Sequence, residues 1–325
     1  MSPAPDRAAG DRGLARLAAV AAVATLVLIA LGGAVRATDS GLACPDWPAC
    51  YGQWIPAWDM HIWLEHSHRL LAGVVGLLIL AVLVWALRAH RERRDLWVPA
   101  ALAAVLVLIQ SALGAAVVLL LLRAELVTAH LGMSLVVLAC LLLVAVNASL
   151  GPGQRGAAGW QARWARRVAA LVFAQTLLGG QATGVAAAYV FNAVPFWTAE
   201  ERVLAATSTR ELMHLAHRGL GYVVAGIVLW FAIAAIRRGP GPGEDRRVDR
   251  WLSILPRLAA GLVVLQVGLG LANVLTQAAV ASAIPHLAVA SWLWTVLLLC
   301  AMLAARRGVA QSRERVPSAR EEVPA

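Results

Sequence analysis

Eight apolar runs, separated by short polar breaks, follow one another along this chain at about 14–35, 62–87, 97–120, 126–149, 164–186, 211–236, 251–274 and 283–305. A helix rises 1.5 Å per residue, so each run is near the roughly 20 residues needed to cross about 30 Å of hydrocarbon. The weakest break lies between the third and fourth runs, where Leu119 to Leu122 leads directly into Arg123, Ala124 and Glu125. The first run follows Arg7, Arg12 and Arg16 as a secretory signal would. It is too long for one, and it passes into Gly32, Gly33 and Arg36 without a small-residue cleavage site, so it reads as the first membrane helix.

Composition supports this pattern, since 60% of the 325 residues are hydrophobic and only 14% are charged, which excludes an ordinary soluble domain. The net charge of +10 is carried by 28 basic residues, all of them arginine, a bias that points to a GC-rich bacterial genome. These arginines sit in short clusters between apolar runs rather than in one basic patch, so they argue for membrane topology and against nucleic acid. Counted by side, 22 of the 28 fall in the two tails and in the breaks near Arg88, Arg155 and Arg237. Both termini are therefore expected in the cytoplasm. The expected fold is an all-α membrane protein of eight transmembrane helices, arranged as two pseudo-twofold-related four-helix bundles in the bacterial cytoplasmic membrane. Its expected parts are a tail at 1–13, a bundle at 14–150, a linker at 151–163, a second bundle at 164–305 and a tail at 306–325.

The two halves match each other at polar residues that lipid does not ordinarily tolerate. His68-Arg69 corresponds to His217-Arg218, Gln110-x-x-x-Gly114 to Gln266-x-x-x-Gly270, and Leu31-Gly32-Gly33 to Leu178-Gly179-Gly180; His130 and His286 each follow their glutamine by 20 residues. All four histidines lie near the starts of even-numbered helices, so His68 can face His130 across a flat ligand and His217 can face His286. Paired neutral imidazoles from facing helices are a common way to hold a haem iron, and Gly114 and Gly270 would let backbone approach a large planar group. Zinc and copper fit less well, because no third and fourth ligand recurs with the pairs. A single such histidine is more often an interfacial residue bonded to its neighbours; recurrence as two matched pairs favours ligation.

The halves differ at Glu65, one turn before His68, where the second half has His214. A carboxylate beside one haem can take protons or stabilise developing charge; it can also simply favour a helix start. Cys44 and Cys50 frame a loop on the oxidising side, as a staple or as a redox pair. Cys140 and Cys300 read as packing residues. Arg69 and Arg218 suit either haem propionates or lipid headgroups. His61, His66 and His90 have no counterpart in the repeat and are given no ligand role.

These residues resemble the haem A synthase family, membrane enzymes that convert haem O to haem A for cytochrome oxidases. The resemblance rests on the stretch from Gly33 to Cys50, on Glu65-His-Ser-His-Arg69, on Gln110 with Gly114, on His130, on His214-Leu-Ala-His-Arg218 and on His286. It implies that His68 and His130 hold the substrate haem O with Glu65 as the catalytic carboxylate, and that His217 and His286 hold a haem b. It further implies successive hydroxylations of a ring methyl to the formyl group of haem A, and an outer cysteine pair as in many bacterial members. The candidate partners are a haem O synthase, a membrane or soluble electron-transfer protein, lipid and a second copy of the chain. The competing reading is a b-type di-haem electron carrier. The chain departs from the family pattern at Asp39, where glycine is common, and in having few turn formers near Arg123.

Overall fold

The structure, a computed structural model, describes residues 11–151, 159–187, 190–191, 208–240 and 245–307. Most of the two expected tails and most of the linker lie outside the described residues.

Eight helices account for nearly all the rest: α1 Arg12–Ala37, α2 Met60–Ala89, α3 Arg94–Leu119, α4 Ala124–Leu150, α5 Trp160–Gly184, α6 Thr209–Arg238, α7 Arg246–Leu275 and α8 Val280–Arg307. Seven of them are long and apolar enough to cross a membrane. The exception is α5, whose early arginines and later Gln175 and Gln181 lower its hydropathy. Its glutamines face protein partners: Gln175 bonds His217 of α6, and Gln181 accepts from Thr128 of α4 at 3.0 Å.

Several helices start a few residues before their apolar runs because acidic caps secure the first N–H groups. Asp11 accepts from Gly13 and Leu14, Asp59 from His61 and Ile62, and Asp245 from Arg247 and Val248. A Ser208 and Glu211 capping box opens α6.

Helix contacts form two closed circuits, α1-α2-α3-α4 and α5-α6-α7-α8, joined through α1 with α8, α4 with α5, and α4 with α8. Exchanging each helix for the one four places on leaves this contact pattern unchanged. The main core runs through the junction, with Leu135, Leu138, Leu141, Val168, Phe231 and Leu297 fully or almost fully buried.

We call the end carrying the start of α1 and the finish of α8 the inner end. There Pro99, lacking an N–H, leaves the Asp95 carbonyl without its helical donor, and the Asn147 side chain donates to that carbonyl at 2.7 Å. Arg93 pairs with Asp95 at 2.6 Å and donates to the Asn147 carbonyl at 2.9 Å. From α8, Arg306 donates to the Gly151 carbonyl at 2.6 Å and to the Asn147 side-chain oxygen. This network fastens α3, α4 and α8 together.

At the outer end every odd-numbered helix stops the same way, with a non-glycine residue at positive φ just past its cap: Asp39 (53°), Leu121 and Leu122 (56° and 57°), Ala186 (56°), Gln277 and Ala278 (49° and 57°). Three of these ends close with a backbone bond back across the last turn, Ser40 to Val35 at 2.9 Å, Leu122 to Val117 at 2.8 Å and Ala278 to Asn273 at 2.7 Å. Asp39 thus occupies a conformation that glycine adopts freely and aspartate tolerates, which accounts for its standing where a glycine is common.

Candidate haem-ligand site

Each odd helix carries a glycine five residues before its last residue, namely Gly32, Gly114, Gly179 and Gly270. In the helix that follows, His68 and His217 are ninth residues and His130 and His286 are seventh. A Cβ added at Gly32 would stand 3.0 Å from the Cε1 of His68, at Gly114 3.1 Å from that of His130, at Gly179 2.7 Å from that of His217 and at Gly270 3.2 Å from that of His286. The same contact therefore occurs four times, once per helical hairpin. Gly114 and Gly270 were expected to let backbone approach a planar ligand; at all four glycines the imidazole edge occupies the space of the missing side chain, which lets a histidine rest against the preceding helix.

In each circuit the histidines sit on diagonal helices, α2 with α4 and α6 with α8, and His130 is within electrostatic reach of His68 as His217 is of His286. The Nδ1 atoms of His68, His130 and His286 are buried without a hydrogen-bond partner, a costly condition for a polar atom. Among the described residues no three His, Cys, Asp or Glu side chains gather as a metal site. Two diagonal imidazole couples with unpartnered ring nitrogens in apolar surroundings fit a flat, iron-centred ligand held from both faces.

The glutamines support the histidines from the odd helices. Gln110 donates to the His130 carbonyl at 2.9 Å; Gln175 donates to the His217 carbonyl at 2.7 Å and lies 3.0 Å from its Nδ1; Gln266 lies 3.3 Å from the His286 Nε2. Sequence reasoning missed Gln175. Its signal was available, since Gln175-x-x-x-Gly179 repeats the spacing of the other two.

Glu65 is buried, and both its oxygens are engaged: the Cys44 N–H donates to Oε2 at 2.8 Å and the Arg69 guanidinium pairs with Oε1. It does not stand as a solvated helix-end charge. Arg69 also donates to the carbonyls of Asp46 at 2.5 Å, Ala49 at 2.6 Å and Cys44 at 3.0 Å. It is thus committed to the outer loop, against the expectation that it meets propionates or headgroups. That loop is closed by a Cys44–Cys50 disulfide with both cysteines fully buried. Asp46 accepts from the Tyr51 and Gly52 N–H groups at 2.6 and 2.7 Å; the Gly52 bond foremost, with Tyr51 and Arg69, holds its carboxyl below the usual range.

His214, opposite number of Glu65, bonds the Ala187 carbonyl through Nδ1 at 2.7 Å and meets Phe191 edge-on. Both positions therefore tie α2 or α6 to its outer loop, one as acceptor and one as donor. The other histidines have local partners: Ser40 for His61, the Trp54 carbonyl for His66 and Asp11 for His90. Cys140 and Cys300 are buried free thiols.

Residues 15–298 match a family model, COX15-CtaA, described as cytochrome oxidase assembly protein. The chain is 30% identical over 298 residues to a heme A synthase of Lysinibacillus sphaericus, covering 89% of this chain and 94% of that protein. It is 28% identical over 305 residues to a heme A synthase of Shewanella oneidensis, covering 81% and 88%. A heme A synthase of Exiguobacterium sibiricum is 40% identical over a shorter stretch of 139 residues, so the chain there spans less than half, 46%, of that relative's length.

Proposed function

Because the chain belongs to the COX15-CtaA family of cytochrome oxidase assembly proteins, we propose that it is a haem A synthase, an oxidoreductase that carries the methyl group of haem O to the formyl group of haem A by successive hydroxylations. The observation that carries this reading is the fourfold contact of imidazole on glycine, which sets two diagonal histidine couples at like register in the two halves. His68 and His130 hold the substrate haem, and His217 and His286 hold a haem b. When bound, haem supplies a redox-active iron to each couple.

Glu65 is the acid–base group of the first half. Arg69 and the Cys44 amide fix its carboxylate independently of the substrate, and its burial keeps bulk water away from it. The second half has at that position an imidazole that donates to the Ala187 carbonyl, a group already committed to its loop, which suits a haem that stays unmodified. The protein acts in the bacterial cytoplasmic membrane with both termini in the cytoplasm, the arrangement that places the arginine-rich ends inside.

Expression in cells that make haem O but no haem A, followed by extraction and chromatography of the haems, tests the reading. Haem A is expected with the wild-type chain and is expected to be lost with Glu65→Gln while both haems stay bound. A haem-loaded wild-type protein that yields b-type haem alone overturns the synthase and leaves the electron carrier.

A further inference from the structure

In α1 and α5 the glycine that carries a histidine is followed by a second one, Gly33 beside Gly32 and Gly180 beside Gly179. Successive helical residues point about 100° apart, so the two members of each pair face different neighbours. A Cβ added at Gly33 would stand 2.8 Å from the Cδ2 of Leu287 on α8. One added at Gly180 would stand 3.3 Å from the Cδ2 of Leu131 on α4 and 3.6 Å from the Oγ1 of Thr128. Leu287 directly follows His286, and Leu131 directly follows His130. The first glycine of each pair thus seats a histidine of its own half, and the second seats the neighbour of a histidine in the other half.

Two lines of contact therefore cross the junction. One runs from His68 through Gly32, Gly33 and Leu287 to His286, and the other from His217 through Gly179, Gly180 and Leu131 to His130. Both leucines also pack against the main core, and a close-packed interior passes displacement on rather than absorbing it. The second line is reinforced by a hydrogen bond: Thr128, two residues before His130, donates to Gln181, two residues after Gly179, at 3.0 Å. Ile284 and Ala34 hold the matching positions of the first line, and their side chains have no group that can form that bond.

Resting on the haem reading above, we propose that Gly33 and Gly180 are crossed positioning residues. Gly33, in the first half, sets the place of His286 in the haem b site, and Gly180, in the second half, sets the place of His130 in the substrate site. A side chain at either glycine pushes its leucine outward, and the adjoining histidine moves with it. Each haem couple has one imidazole seated within its own half and one set from the other, so neither half forms a finished site alone. The added Thr128 bond makes His130 the more firmly placed of the two. The substrate haem therefore takes its position from the half whose own haem stays unmodified.

Full-length protein purified from cells that make haem O tests this by extraction and chromatography, which separate haem b from haem O and haem A. The readout is the ratio of haem O plus haem A to haem b. Gly32→Ala crowds His68 and is expected to lower it, whereas Gly33→Ala, one residue on, is expected to raise it about fivefold or more. Gly179→Ala is expected to raise the ratio and Gly180→Ala to lower it. The Gly180 effect is expected to be smaller than that at Gly33, in keeping with 3.3 against 2.8 Å. Adding Leu287→Ala to Gly33→Ala leaves only the Cβ of residue 287, 3.9 Å from the new methyl, and is expected to restore the wild-type ratio. The proposal is overturned if Gly33→Ala moves the ratio as Gly32→Ala does or not at all, if Gly180→Ala moves it as Gly179→Ala does or not at all, or if Leu287→Ala fails to restore it. The Gly180 variant, the milder one, decides the matter if Gly33→Ala does not fold. A wild type that holds no haem, or haem b alone, defeats instead the reading on which the proposal stands.

Discussion

Arg69 and Glu65 pair across one turn of α2, and the same guanidinium holds three carbonyls of the disulfide loop. Helix and loop are thus one unit, with the carboxylate at their seam. Arg69→Ala strands a buried anion and three carbonyls, at an expected cost of about 3–5 kcal/mol. Arg69→Lys keeps the charge but not the planar fork, at about 1–3 kcal/mol. Thermal unfolding in detergent measures both, and a lysine variant as stable as the wild type would refute the fork.

The glycine contacts predict a ranked series. Alanine at Gly179 brings its methyl to 2.7 Å from the His217 ring, against 3.0 Å at Gly32, 3.1 Å at Gly114 and 3.2 Å at Gly270. Gly179→Ala should therefore lower haem content most, losing the second-half haem first, and Gly270→Ala least. Equal retention across the four would show that the rings move aside freely.

At the inner end, Asn147→Ala should cost about 1–3 kcal/mol by leaving the Asp95 carbonyl unsatisfied. Pro99→Ala restores the backbone donor for that carbonyl, so the double variant should be more stable than the sum of the two single changes implies. A double-mutant cycle of unfolding free energies checks the sign; strict additivity would mean that Asn147 acts elsewhere.

Positive φ at Leu122 and Gln277 puts side chains where an L residue is strained by roughly 1–2 kcal/mol. Leu122→Gly and Gln277→Gly should each stabilise the protein by up to about 1 kcal/mol, since glycine's greater freedom in the unfolded chain offsets part of the relief. A lowered melting temperature in both would show that packing of the two side chains outweighs the backbone.

Asp46 is held below the ordinary carboxylate range first by the Gly52 N–H, so its support of the loop is complete above the unfolded value near 3.8 and is lost as pH falls through the lower folded value. Deuterium uptake at Tyr51 and Gly52, corrected for intrinsic rate, should rise below pH ~3.8 in the wild type. In Asp46→Asn it should be high and independent of pH; a wild type with no change on acidification contradicts this account.

Much of the fold was legible because lipid permits so few backbone solutions: an apolar run of spanning length can only be a helix. Helix starts were less so, because Asp11 and Asp245 cap from within charged stretches that hydropathy discards. The break after α3 gave almost no signal, since leucines, not glycines, make its left-handed turn. The four histidines stood out through repetition. Gln175 did not, because its histidine lies across a long outer loop whereas Gln110 and Gln266 share one short spacing. The role of Arg69 was invisible, since its partners are backbone carbonyls, which no side-chain pattern records.

The inner network has a bearing on biosynthesis. Asn147 and Arg306 are 159 residues apart, so at about 5–20 residues per second the nascent first half waits roughly 8–30 s after Asn147 is made before the arginine that completes its base exists. Until the last helix inserts, that half rests in the bilayer with its floor unfinished, and a ribosome stalled late in the message strands a protein lacking its final fastening.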